Sequence, residues 1–365
     1  MLLNMLLTRY LDSTKLDIRV ERCVLSRNRF SSCRNCMEHC PSSAITFDKE
    51  IKVNTENCTE CMKCTRICPT EVFSDKKYSS KLSLISKQDS IIFSCNKHET
   101  KSRSIQLNCI ADIDLQMLLM CHISRKKVFI LIDDERCTKC KENKDCDVQK
   151  TVTKTLIKYN DLVANGVEIN YINKDIQQDA IYTRRELIQS FTKKISDDYV
   201  MPLIPELTEK ERLLNKQTIG LKHNLRNNLI KQIMKECNHE IHQSTLGILM
   251  LQNNSSCNGC KKCEAVCPTA SLYVEEAGNR FIMKQIASKC VGCQACIEIC
   301  PTKSLSTNKK YLLSIGEYVS NQPRSILELE VGICNGCGEQ TFGTIPMCEA
   351  CKSKEYFISE DNLWN

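Results

Sequence analysis

Cys257, Cys260, Cys263 and Cys267 are separated by two, two and three residues and are followed by Pro268; Cys290, Cys293, Cys296, Cys300 and Pro301 repeat the arrangement. Disulfides favour thiols that are distant in sequence and exported to an oxidising compartment, whereas thiols two residues apart can turn side by side toward one metal centre. Near the other end, Cys58, Cys61, Cys64, Cys68 and Pro69 form a third copy, and Cys33, Cys36, Cys40 and Pro41 an incomplete fourth, with Phe30 where its first thiol should stand. Cys23 can supply that thiol across a nine-residue gap, a loop of modest closure entropy. The other reading leaves Cys23 spare and the first site empty or limited to three irons. The short gaps aim backbone N–H groups at sulfur, and the proline ends each knuckle without a competing donor.

This spacing resembles that of bacterial two-cluster ferredoxins, in which three close cysteines hold one [4Fe–4S] cube and the fourth crosses to the other cube. The resemblance implies cubes on Cys257, Cys260, Cys263 and Cys300; on Cys290, Cys293, Cys296 and Cys267; on Cys58, Cys61, Cys64 and Cys40; and on Cys23, Cys33, Cys36 and Cys68. Zinc knuckles would also use four thiols each, but would not require the repeated Cys-Pro. Short β-prone runs after the Cys-Pro pairs, "AITF" and "IKVN" in one unit and "SLYV" and "RFIM" in the other, predict a small α+β sandwich around each pair of cubes.

Between the two units the pattern changes. Residues 91–94, 104–107, 128–134 and 167–172 read as strands, and 112–123 and 147–164 as helices, which implies a parallel sheet covered by helices. Cys95, Cys109, Cys137 and Cys140 then fall at carboxyl ends of strands, the edge where open α/β sheets bind ligands. The segment "FSCNKH…IQLNCIADIDLQMLL…KKVFILIDDERCTKC" resembles the delta subunit of methyl-viologen-reducing hydrogenases, which implies an iron–sulfur site linking an electron carrier to a larger complex. It departs in having Ser94-Cys95 for a double cysteine and in lacking Gly-rich elements, so the type of a fifth cluster stays open. The alternative is ordinary buried thiols beside a zinc-like pair. Cys121, on the apolar face of its helix, reads as core; Cys146 and Cys237 have no assignment.

Residues 175–250 carry charged runs with spaced Leu and Ile and predict a helical connector. In the tail, Cys334, Cys337, Cys348 and Cys351 form two knuckles able to close over one ion, favouring structural zinc; "CNGCG" resembles a rubredoxin knuckle, which keeps mononuclear iron as the alternative.

The expected architecture is an α+β multidomain chain: a two-cluster ferredoxin unit (1–81), an α/β parallel-sheet domain (82–174), the connector (175–250), a second ferredoxin unit (251–310) and a zinc-ribbon-like tail (311–365). The formal charge of +7 counts thiols as neutral, and four cubes with their thiolates would add about −8, which removes the case for a nucleic-acid partner. The segment "MLLNMLLTRYLDSTK" reads as a short amphipathic helix and not an export signal, and no apolar run reaches membrane-spanning length, so a cytoplasmic protein is expected. Dinucleotide, phosphate-loop, haem and radical S-adenosylmethionine motifs are missing. Electron transfer is therefore expected rather than catalysis: a polyferredoxin between a redox donor and acceptor, as subunit or partner of a hydrogenase- or formate-dehydrogenase-like complex. Over its whole length the chain resembles bacterial 4Fe–4S dicluster ferredoxins. A metalloenzyme assembly or maturation protein is the alternative.

Overall fold

The structure is a computed structural model that describes residues 15–28, 31–97, 104–140, 148–163, 166, 169–172, 220–233, 239–254, 256–343, 347–348 and 350–352. The expected amino-terminal helix, most of the connector, Cys146 and Cys237 lie outside these residues.

In the first unit the chain runs β1 (Leu16–Ile18), α1 (Val24–Arg27), α2 (Asn35–Glu38), β2 (Ile45–Phe47), β3 (Ile51–Val53), α3 (Lys63–Ile67) and β4 (Phe73–Asp75). β1 pairs antiparallel with β4 and brings the ends of the unit together, while β2 and β3 form a hairpin. Leu16, Leu25, Ile45, Ile51, Met62, Val72 and Phe73 close a core against Cys23 and Cys64. With so few apolar side chains, the thiols and what they bind are part of the core itself.

The α/β domain follows as α4 (Tyr78–Lys87), β5 (Ser90–Cys95), β6 (Ile105–Leu107), α5 (Leu115–Ile123), β7 (Lys127–Leu131), α6 (Asp134–Lys139), α7 (Val148–Leu162) and β8 (Ile169–Ile172). The four strands are all parallel, in the order β6-β5-β7-β8. Ile91, Phe93, Ile105, Leu107, Val128 and Ile130 are almost fully buried, as expected for a sheet covered on both faces. Asp114 caps α5 by accepting from Met117 N at 3.0 Å, and Asp133 caps α6 by accepting from Arg136 N at 3.1 Å. α4 already belongs to this core: Tyr78, Leu82 and Ile85 pack into it, so the helix spans the expected boundary at residue 82.

α8 (Leu221–Ile233) lies against α5 and buries Leu225, Leu229, Ile230 and Ile233, worth about 1.5–3 kcal/mol each. Its amino terminus is capped from the first unit: Glu71 accepts from Lys222 N at 3.0 Å and His223 N at 2.9 Å. A Cβ on Gly220 would stand 2.2 Å from the Glu71 carboxylate carbon, so a larger residue there would push the capping carboxylate aside. On the far side, His223 Nε2 and Asn227 Nδ2 donate to Ser288 O at 2.5 and 2.9 Å, reaching the second unit. One helix thus touches all three bodies.

The remaining elements are β9 (Glu240–His242), β10 (Leu251–Asn253), α9 (Lys262–Val266), β11 (Leu272–Ala277), β12 (Arg280–Gln285), α10 (Ala295–Glu298), β13 (Leu305–Thr307), β14 (Leu312–Ser314), α11 (Ile315–Ser320), β15 (Arg324–Ile333) and β16 (Gln340–Phe342). β10 and β13 pair as β1 and β4 do, so the second unit repeats the first. Residues 239–250, expected as the end of a helical connector, are strand and turn: β9 pairs with β14. The tail is likewise not a separate body, because β15 extends the hairpin of β11 and β12 into the sheet β11-β12-β15-β16. Among the described residues no helix is long and apolar enough to cross a membrane.

Candidate metal centres

Each complete knuckle is built the same way. The residue after the second cysteine, Met62, Lys261 or Gln294, is left-handed with φ of 61°, 55° and 63°, and it starts the short helix carrying the third thiol. The residue before that cysteine is left-handed too, as Glu60, Gly259 and Gly292. These reversals wrap three thiols around one point. In the incomplete run the matching residue, Arg34, has φ −129°, so the chain does not wrap there and the site lacks its nearest thiol.

The fourth thiols arrive from the partner run. Cys40 joins Cys58, Cys61 and Cys64 around one small cavity of ≈ 20 Å³; Cys300 joins Cys257, Cys260 and Cys263 around another of ≈ 10 Å³; Cys267 joins Cys290, Cys293 and Cys296 around a third of ≈ 20 Å³. Cys23, buried at the start of α1, meets Cys33, Cys36 and Cys68: burial pushes the Cys36 thiol up to about 12, and Cys68, Cys23 and Cys33 add to the rise. Burial likewise raises Cys263 and Cys293 to about 12. A thiol held this high becomes a thiolate only when a metal displaces its proton.

Hydroxyls complete the cages. Each Cys-Pro is followed by Ser or Thr, and each hydroxyl reaches the thiol before the proline: Ser42 to Cys40 at 3.7 Å, Thr70 to Cys68 at 3.6 Å, Thr269 to Cys267 at 3.8 Å and Thr302 to Cys300 at 3.6 Å. Backbone N–H groups add to them, Ala44 N to Cys40 Sγ at 3.3 Å, Val72 N to Cys68 Sγ at 3.4 Å and Leu249 N to Cys290 Sγ at 3.5 Å. At Cys300 burial works upward, but Ser304, Leu305 N–H and Thr302 outweigh it and bring the thiol down to about 7. The sequence reading missed these hydroxyls, although the Cys-Pro-Ser/Thr repeat was their signal. Four thiols around a small closed space, with N–H and O–H donors aimed at sulfur, fit a [4Fe–4S] cube in the Cys58, Cys257 and Cys290 cages, and the Cys23 group offers the same four-thiol donor set.

The four cages form a row. Cys64 feels Cys36 of the neighbouring cage, and Cys296 feels Cys263. Between the units, Val24, Val266 and Ala295 make an apolar seam with Cys33, Cys293 and Cys296 packed against it. Glu298 locks the seam by accepting from Ser31 Oγ at 2.6 Å, from Ser32 N at 3.4 Å and from Ser32 Oγ. The order is therefore the Cys58 cage, the Cys23 cage, the Cys290 cage and the Cys257 cage.

Cys95, Cys109, Cys137 and Cys140 line one cavity of ≈ 620 Å³ between the first unit and the α/β domain, and Cys61 of the Cys58 cage lines it too. Burial pushes Cys109 up to about 12, with Asp112 adding, and it raises Cys137 with Cys95 and Cys140 adding. Cys121 is fully buried in the core. In the tail, the sulfurs of Cys334, Cys337, Cys348 and Cys351 all lie within 4.8 Å of one another, the only such group of metal-ligating side chains among the described residues. Cys348 N and Gly336 N donate to Cys334 Sγ at 3.2 and 3.4 Å, and together they bring that thiol down to about 6. This closeness suits one ion at about 2.3 Å from each sulfur and leaves no room for a cube.

Two segments, residues 31–72 and 256–304, match the family model described as the 4Fe-4S dicluster domain. Both segments are thus similar to 4Fe–4S dicluster domains, which supports an iron–sulfur protein of the ferredoxin type, and they contain every cage cysteine except Cys23. No curated protein and no solved structure matches the chain.

Proposed function

We propose that the protein is a cytosolic polyferredoxin that relays low-potential electrons to or from a redox enzyme complex of the hydrogenase or formate dehydrogenase kind. The observation that carries this reading is the row of four cages, which the Val24, Val266 and Ala295 seam makes continuous across two units distant in sequence. Cubes bound there would supply reversible one-electron storage. The chain's own part is to hold sixteen thiols (four cages of four), to aim donors at their sulfurs and to keep water from the buried ones. Cys23 serves as the remote fourth ligand of its cage, and the tail thiols hold zinc. The likeness of the middle segment to a hydrogenase delta subunit supports docking to a larger assembly, with Cys95, Cys109, Cys137 and Cys140 as ligands of a fifth iron–sulfur cluster at that end.

Anaerobic reconstitution of the full chain, followed by iron and acid-labile sulfide analysis, tests the reading. About sixteen of each are expected from four cubes, with a further increment from a fifth cluster. Eight or fewer in a folded, fully loaded sample would reduce the protein to a single working unit and end the relay. Clusters that leave readily for an apo-acceptor, instead of cycling between oxidation states in place, would favour an assembly role.

A further inference from the structure

The cavity that Cys95, Cys109, Cys137 and Cys140 share is about thirty times the volume of a ferredoxin cage, ≈ 620 against ≈ 20 Å³. A cluster on those thiols would take only part of it. A space of this size lies in the range of sites for small organic ligands, about 300–1,000 Å³. Its position points the same way. The strand order β6-β5-β7-β8 means that the chain leaves β5 for one neighbour and then crosses to the other, and open α/β sheets bind ligands where the order reverses, beyond the carboxyl ends of the strands. Cys95 ends β5 and Lys97 follows it, Asn108 and Cys109 follow β6, and Asp133, Arg136 and Cys137 follow β7; all line the cavity.

Lys63 supplies the chemistry. It follows Met62 at the start of α3, is 6% exposed, and lines the cavity; among the described residues it has no hydrogen-bond or ion-pair partner. Its side chain, buried as a whole and without such a partner, offers a positive charge to an anion in the cavity. Arg66, Lys97, Arg136 and Lys139 also line the space; Asp112 pairs with Arg66 at 3.2 Å and Asp133 with Arg136 at 3.4 Å, so positive side chains still outnumber the carboxylates around it. Ile110, Leu131 and Val148 give the same cavity an apolar wall.

We propose that this cavity is a binding site for a small organic phosphate with a flat apolar body, of the size of flavin mononucleotide, its phosphate on Lys63 and its body against Ile110, Leu131 and Val148. The inference deepens the relay reading, on which its place in the redox function rests: Lys63 borders both this cavity and the Cys58 cage, so the bound molecule sits beside the end of the row.

Anaerobic titration of the reconstituted full chain with flavin mononucleotide, followed by flavin fluorescence and calorimetry, tests the site, with riboflavin as the phosphate-free comparison. Saturable binding of one molecule per chain is expected. Lys63→Gln should weaken flavin mononucleotide at least tenfold while leaving riboflavin unchanged, and Lys63→Arg should restore most of the difference. Val148→Trp should weaken both ligands without altering iron or sulfide content. No saturable binding, or binding indifferent to both Lys63→Gln and Val148→Trp, overturns the proposal. A chain that takes up about four irons beyond sixteen and refuses the flavin shows that a cluster fills the cavity, and overturns it too. Iron far below sixteen with Lys63-dependent flavin binding upholds the site while the relay reading fails.

Discussion

Single thiols and hydroxyls set what each cage can hold. Cys23 stands out in the sequence because Phe30 cannot ligate and no nearer thiol precedes Cys33; the structure sets it near Cys33, Cys36 and Cys68, and Arg34 does not take the left-handed turn that gathers the other knuckles. Cys23→Ala should leave three thiols in that cage, giving a three-iron paramagnetic signal or a loss of about four irons. Unchanged iron content and spectra would free Cys23 from the role. The hydroxyl contacts were hidden, because a Ser or Thr after proline in a loop signals only a turn until the thiol it faces is known. Thr302→Val removes a donor that stabilises the more negative, reduced state. A cube held by Cys300 should fall in reduction potential by about 20–40 mV, taking about 0.5–1 kcal/mol for the difference between states. A potentiometric titration showing no fall, or a rise, would remove the hydroxyl from the control of potential.

Among the elements, the parallel sheet could be read from sequence because β5 and β7 carry continuous Ile, Val and Phe runs, β6 and β8 each open on Ile, and periodic helices lie between them. The strands β9 and β10 could not: Glu240–His242 and Leu251–Asn253 each hold one apolar residue among polar ones, whereas β2 and β3, equally short, each hold two. α8 was expected only as part of a connector; its docking depends on Glu71, some 150 residues earlier, and no local pattern contains that partner. His223 within α8 makes the docking sensitive to acid. Its Nε2 donates to Ser288 O and its Nδ1 accepts from Arg226 at 2.8 Å, so a second proton has no place, and burial next to Arg226 lowers its pKa to about 3. A depressed folded-state pKa gives stability that is complete above about 6.5 and is lost as pH falls toward 3. Between pH 6.5 and 5 the loss is about 2 kcal/mol. Asp112 acts in the opposite sense below about 6, where burial lifts its carboxyl. His223→Gln keeps both hydrogen bonds without the titration, so denaturant unfolding should show a shallower fall from pH 6.5 to 5 than in the parent chain. Equal slopes would show that the imidazole stays outside the acid response.

At the scale of the whole molecule, the contact between the two ferredoxin units is made beside ligand thiols: Val24 follows Cys23, Val266 precedes Cys267 and Ala295 precedes Cys296. Val24→Glu would bury a charge without a partner at this seam, at a cost of several kcal/mol. Together with Glu298→Ala, which removes charge-assisted hydrogen bonds worth about 1.5–3 kcal/mol, it should part the units and enlarge the radius of gyration in small-angle scattering at unchanged iron content. Glu298→Ala alone should not, because Val24, Val266 and Ala295 still close the seam. A compact double variant would show that the seam is not what joins the units. The α8 cap has a consequence for biosynthesis. At about 5–20 residues per second, the 151 residues between Glu71 and Lys222 separate their emergence from the ribosome by roughly 8–30 s. For that interval the first unit stands alone with its seam uncovered, so its cages are open to the iron supply before the second unit closes over them, and loading can proceed from the amino-terminal cages onward.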